Sequence, residues 1–139
     1  GVSGDYLSIG SDQVAACEDR ILGKPGTKAR AHEQLRFVSN KTVQFFTGVA
    51  VWRPRLATLN FRVVETQVSM RELCDAEITA YVNTGEPLSV AGGFTHEGKS
   101  AAFITKMTGD SPAVGGISLA LLREFTQDMS IEWTQLWDL

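Results

Sequence analysis

Cysteine and histidine are scarce in this sequence, with two of each among 139 residues. Cys17 and Cys74 stand far apart, with no C-x-x-C spacing and no histidine pair nearby. The familiar zinc and redox patterns are therefore missing, and both thiols are expected as buried small apolar groups, with a disulfide or metal role as the other reading. His32 falls on a helix beside Glu33 and His96 in a glycine-rich loop. Neither has a partner at ligand spacing, so both are expected in solvent rather than on a metal or in catalysis. Positive charge is also short: 13 Lys and Arg face 16 Asp and Glu, for a net charge of −3. That balance excludes a broadly basic surface and argues against a nucleic-acid polymer as partner, while leaving room for a local basic pocket. No apolar run approaches membrane-spanning length, and GVSGDYL has neither the charged start nor the apolar core of a signal peptide. A soluble, cytoplasmic protein without a membrane partner is the expectation. Internal repeats and low-complexity stretches are absent as well.

What is present fits one globular domain with an ordinary core, since 43% of the residues are hydrophobic and 21% charged. Residues 7–22 read as a strand and hairpin interrupted by the polar Gly10-Ser11-Asp12-Gln13. After the loop Gly23-Lys24-Pro25-Gly26, Thr27 can cap a helix whose Ala31, Leu35 and Val38 recur at helical spacing, with an end near Ser39-Asn40. TVQFFTGVAVW (42–52) is apolar on both faces, as a central strand requires. Leu59 to Met70 alternates like an antiparallel partner, Asp75 can cap a second helix that Gly85 and Pro87 end, and Ala101 to Met107 reads as a further strand. A third helix is expected over Ile117 to Phe125, and the tail SIEWTQLWDL spaces Trp133, Leu136 and Trp137 so that they can pack on the body or on a second copy. The pattern predicts a mixed α/β domain over 1–128, built on a long curved, largely antiparallel sheet flanked by helices, with an aromatic tail over 129–139.

Residues 93–100, GFTHEGKS, match the phosphate-loop pattern G-x-x-x-x-G-K-[ST] letter for letter. In a phosphate loop a buried strand leads in, a long helix leads out, and a later strand ends in a Mg²⁺-directing aspartate. Here LSVAG is short, AAFITKM is rich in strand formers, and no apolar run ending in Asp follows. The match is therefore read as an accident of spelling.

Four segments taken in order, SIGSDQV (8–14), ILGKPGT (21–27), VQFFTGVAV (43–51) and VAGGFTHEG (90–98), resemble the Maf family of nucleoside triphosphate pyrophosphatases, relatives in fold of the inosine triphosphate pyrophosphatases. VVETQVSMRELCDAEITAYV and GDSPAVGGISLALL extend the resemblance over nearly all of 6–125, and its most specific pieces are GSDQV and GKP at this separation. The resemblance implies hydrolysis of a nucleoside triphosphate between its α- and β-phosphates with Mg²⁺ or another divalent cation. It also implies a site around Asp12 as base or metal contact, Gln13 and Lys24 toward the substrate, and Glu97 toward substrate or metal. Residue by residue, plainer uses stand beside these: Asp12 turning a bulge, Gln13 satisfying the backbone, Lys24 as a solvated loop lysine, Glu97 as an exposed loop carboxylate. Glu97 matches the form of the loop typical of the branch that prefers 7-methyl-GTP over dTTP and UTP.

The departures point elsewhere. The family's opening strand and helix, with a serine-x-arginine-arginine motif, a metal-directed glutamate and a further lysine, have no counterpart here, so the domain is expected to be N-terminally truncated. The family's C-terminal asparagine and leucine-proline are replaced by Ala113 and Ile117-Ser118. A second reading follows, a non-catalytic Maf-like binding or assembly module. In the related fold the absent elements cover one side of the sheet, which implies exposed apolar surface along strands such as 42–52 and a homodimer with the tail near its interface.

Overall fold

The fold comes from a computed structural model that describes residues 5–138. Five strands form one sheet: β1 (Ser8–Cys17), β2 (Arg20–Leu22), β3 (Thr42–Arg53), β4 (Thr58–Met70) and β5 (Ile104–Gly109), in spatial order β2-β1-β3-β4-β5. Every pairing among them is antiparallel. The helices are α1 (Lys28–Val38), α2 (Asp75–Asn83), the single turn α3 (Ser111–Val114) and α4 (Leu119–Asp128). This is the mixed α/β architecture that the sequence predicts, and no helix among the described residues is long and apolar enough to cross a membrane.

The local signals act largely as read. The Thr27 hydroxyl accepts from the Arg30 N–H at 3.3 Å, and Ala31, Leu35 and Val38 are fully buried along the inner stripe of α1. Several expectations need correction. The polar Gly10–Gln13 stretch does not interrupt β1: pairing with β3 runs unbroken from Ser8↔Trp52 to Ala16↔Gln44, and the chain turns only at Glu18, whose φ is 53°. Residues Lys99–Phe103 form a 3₁₀ turn rather than the start of a strand. The ladder with β4 shifts register at Ser69/Met70 and ends at Met70↔Ile104, beyond which a single bond from the Arg71 N–H to the Phe103 carbonyl at 2.8 Å remains. α3 is an addition, because GDSP reads as a turn, yet Asp110 accepts from the Ala113 N–H at 3.2 Å and starts a helix there. The same carboxylate accepts from the Ser118 hydroxyl, which itself caps α4 by accepting from the Leu121 N–H at 3.2 Å.

The thiols part company. Cys17 is fully buried, and burial pushes its thiol pKa up, whereas Cys74 is exposed. Cys74 occupies the N-cap of α2, where the chain leaves the sheet, and its N–H donates to Glu77 at 3.1 Å, which holds the Glu77 carboxyl below its usual range. The histidines are less open than expected: His32 is half-buried against the Thr79 hydroxyl at 3.2 Å, and the His96 side chain is only 18% exposed.

One face of the sheet carries the core. Val43, Phe45, Thr47, Val49 and Val51 alternate along β3 and all are buried. Val43 and Phe45 join a cluster with Ala15, α1 and α2, while Val49 and Val51 join a separate one with Leu121, Leu122, Phe125 and Met129. Thr47, between them, is buried but polar, so a polar waist divides the covered face. Trp133 folds back onto the second cluster, and Trp137 stays 71% exposed.

The opposite face is bare in places. Leu59, Phe61 and Val63 of β4 are 62%, 64% and 50% exposed, in register with Trp52, Ala50 and Gly48 of β3. The exposed apolar surface thus centres on β4, whereas Phe46 and Ala50 on the outer side of β3 are half-buried.

Candidate active site

At the polar waist the covered face opens into a cavity of about 420 Å³, large enough for a small ligand. Asp12 and Gln13 from β1, Lys24 from the loop between β2 and α1, and Glu97 from a loop more than seventy positions later all line it. A larger hollow of about 560 Å³ lies between Arg123 and the tail, but it gathers none of the four.

Gln13 is the anchor of the waist. Its side-chain nitrogen donates to the Thr47 hydroxyl at 3.2 Å and to the carbonyls of Ala113 and Val114 at 2.9 and 3.1 Å. Thr47 donates to the same Ala113 carbonyl at 3.0 Å. Ser11, on the same side of β1, donates its hydroxyl to the Gly116 carbonyl. Two side chains of β1 and one of β3 thereby fasten the Ala113–Gly116 wall, whose polar backbone needs such partners once buried. Thr47, Ser11 and this wall escaped the sequence reading. The available signal was Thr47 itself, a polar residue at a position where its neighbours two away, Phe45 and Val49, are apolar.

Asp12 alternates with Ser11 and Gln13 and so stands on the rim. It lines the cavity and also a shallow depression on the bare face with Gly10, Gly48, Ala50 and Phe61. β2 pairs only with Ala15 to Cys17, so the edge of β1 beside Asp12 carries no strand among the described residues. One carboxylate oxygen accepts from the Gln13 N–H at 2.8 Å, and the residue is exposed. Lys24 is exposed too, on a loop that Pro25 anchors by burial. Glu97 is exposed at the far wall, with His96 Nε2 3.8 Å from its Oε1.

The glycine-rich loop does not cradle a phosphate in the manner its spelling suggests. Lys99 opens a five-residue 3₁₀ turn rather than a long helix, and its N–H is taken by Glu86. For a divalent cation the donors are few, since among the described residues no group of three or more His, Cys, Asp or Glu side chains converges. Mg²⁺ is commonly held by one or two carboxylates plus phosphate oxygens and water, so the Asp12 and Glu97 carboxylates on one cavity fit that mode and not an all-protein cage.

The profile of the Maf-like protein family matches residues 3–129. Among curated proteins, the chain is 42% identical over 134 residues to the nucleoside triphosphate pyrophosphatase of Cutibacterium acnes, covering 95% of this chain and 63% of that one. It is 43% identical over 122 residues to the 7-methyl-GTP pyrophosphatase of Alkalilimnicola ehrlichii, covering 87% and 61%. It is 39% identical over 125 residues to the dTTP/UTP pyrophosphatase of Bacillus thuringiensis subsp. konkukian, covering 88% and 64%. The chain thus spans less than two thirds of the length of these relatives.

Proposed function

This chain belongs to the Maf-like protein family, and from that premise we propose that its cavity takes a nucleoside triphosphate and hydrolyses it to a monophosphate and pyrophosphate. The observation that supports this reading is the convergence of Asp12, Gln13, Lys24 and Glu97 on one cavity. In the proposed reaction Asp12 accepts the proton of a water whose oxygen attacks the α-phosphorus, and pyrophosphate leaves with the bridging oxygen. Lys24 meets the charge of the phosphates. Gln13 keeps the Ala113–Gly116 wall in place through its nitrogen and presents its carbonyl oxygen to the ligand. Asp12, with phosphate oxygens and water, would hold Mg²⁺ or another divalent cation, which supplies neutralisation of charge on the phosphate oxygens.

For the base we propose 7-methylguanine. Glu97 is an acceptor only, and the guanine edge offers it two N–H donors where thymine and uracil offer one. A panel of nucleoside triphosphates with Mg²⁺ and pyrophosphate detection tests both levels. Release from 7-methyl-GTP above dTTP and UTP is expected. Preference for dTTP or UTP would overturn the substrate, and no release from any would overturn the hydrolase.

We also propose a homodimer through the bare face. Leu59, Phe61 and Val63, each at least half exposed and side by side with Trp52, form the kind of contiguous apolar patch that a monomer seldom leaves in water. A twofold pair would cover the patch on both copies at once. Light scattering should give a dimer for the intact chain and a monomer for Phe61→Asp. A monomer across a wide concentration range would sink the proposal.

A further inference from the structure

We infer that Glu86, which lies outside the cavity lining, is a positioning residue that sets the Glu97 loop at a fixed distance from the Lys24 loop; as a statement about catalysis this rests on the proposed hydrolysis, and as a statement about geometry it does not. The loop that carries Glu97 is closed on itself. Thr95 N–H donates to the fully buried Ser100 hydroxyl at 2.9 Å, and that hydroxyl donates back to the Thr95 carbonyl at 2.8 Å. Glu97 N–H donates to the Thr95 hydroxyl at 3.2 Å. A ring of bonds within residues 95–100 fixes the shape of the loop but not its place in the protein.

Phe94, buried in the core, holds one end of the loop, and Glu86 holds the other. Its Oε1 accepts from the Lys99 N–H at 3.0 Å and from the Tyr81 hydroxyl at 3.0 Å, and Tyr81 is buried in α2. Burial, first among the causes, pushes the Tyr81 pKa far up, so the phenol stays protonated as a donor. The approach is close, so that any side chain at residue 98 would have to push the Glu86 carboxylate aside. A Cβ at Gly98 would lie 2.2 Å from Glu86 Oε1, although the Gly98 backbone, at φ −118° and ψ −157°, is one that other residues adopt. Gly98 is therefore a glycine for the sake of the carboxylate beside it.

The same segment reaches the other wall. Glu86 opens the 3₁₀ turn Glu86–Ser89, in which the Leu88 carbonyl accepts from the Gly26 N–H at 2.8 Å. Three residues on, Gly92 N–H donates to the Gly23 carbonyl at 3.4 Å. Gly23 and Gly26 bracket Lys24, so one short stretch is bonded both to the lysine loop and, through Glu86, to the Glu97 loop. The fragment GKS, spelled like a phosphate loop, is thereby given its work: glycine for clearance, the lysine N–H for the carboxylate, serine for closing the ring.

The test compares Glu86→Ala, Glu86→Gln, Gly98→Ala and the double variant Glu86→Ala/Gly98→Ala in the intact chain. Hydrogen exchange without nucleotide should show faster exchange over 95–100 in Glu86→Ala and in Gly98→Ala, with protection restored in Glu86→Gln, whose carbonyl can take the place of Oε1. The double variant should match the single ones, because both changes break one contact. With the hydrolysed nucleotide, KM should rise by roughly tenfold in the two Ala variants while kcat changes little, because Glu97 binds and Asp12 reacts. Unchanged exchange in Glu86→Ala, or additive effects in the double variant, would overturn the geometry. Altered exchange with an unaltered KM would overturn the positioning role. A wild-type chain that releases no pyrophosphate would remove the hydrolase reading alone, with the exchange comparison still deciding the place of Glu86.

Discussion

Asp12→Asn should lower pyrophosphate release by at least about 10²-fold, the lower range for removing a general base, with the fold unchanged. The fold should hold because Asp12 is exposed and its one internal bond, from the Gln13 N–H at 2.8 Å, can be accepted equally by the asparagine carbonyl. Only the charge and the proton affinity are lost. Lys99→Ala serves as the contrast. Its backbone N–H, not its side chain, makes the contact with Glu86, and the residue is exposed outside the cavity lining. Its rate should stay within about threefold of the parent, well short of the loss expected from a base. Steady-state rates on 7-methyl-GTP, with circular dichroism on each variant, check both. Equal losses from the two changes would restore the phosphate-loop reading of GFTHEGKS.

Phe45→Ala should destabilise the protein by about 3–5 kcal/mol, the usual range for an aromatic ring lost from a core. Phe45 is 2% exposed and meets Phe94 edge-on, with ring centroids 5.6 Å apart at 84°. Its ring tip also lies 3.5 Å from where a Cβ on Gly92 would stand, so backbone and two rings are packed around one spot. Neighbours fixed in that way cannot collapse into the gap, and the cavity penalty adds to the lost transfer energy. Urea titration should show a lower midpoint at an unchanged slope, and Phe45→Leu should recover much of the loss. A cost below about 1 kcal/mol would show that the site relaxes, contrary to this packing. Because Phe94 precedes Thr95 and Glu97, the damage should extend into the binding loop.

The elements with a local cause were legible in the sequence. Thr27 capping α1, the Ala31–Leu35–Val38 stripe and the alternation of β3 each depend on residues a few positions apart. The site was legible only as a set of candidates, since nothing local brings Gln13 to carbonyls a hundred positions away at Ala113 and Val114. The misreadings have the same origin. The polar run Gly10–Gln13 looks like a break in β1 until its partners on the other side of the waist are known. Residues 101–103 have strand composition, but they are taken up in the 3₁₀ turn that the Ser100 and Lys99 contacts close, and the ladder ends at Ile104. Cys74 is small and apolar by type, and its place at a helix start decides its exposure.

The polar waist at Thr47 has a thermodynamic meaning of its own. With no continuous apolar layer over the sheet, the core is two reservoirs of buried surface, and each can lose its order at a different free energy. The unit built on α4 and the tail draws on six buried side chains, against sixteen for the unit of α1 and α2, and should be the first to open. The Ala113–Gly116 wall stands at that seam, held to β1 and β3 by hydrogen bonds as well as by the burial of Val114. A molecule that fills the cavity rests on the larger unit, through Phe45, Phe94 and Val114. Its binding energy then stabilises that unit alone, and occupancy should widen the gap between the free energies at which the two units open.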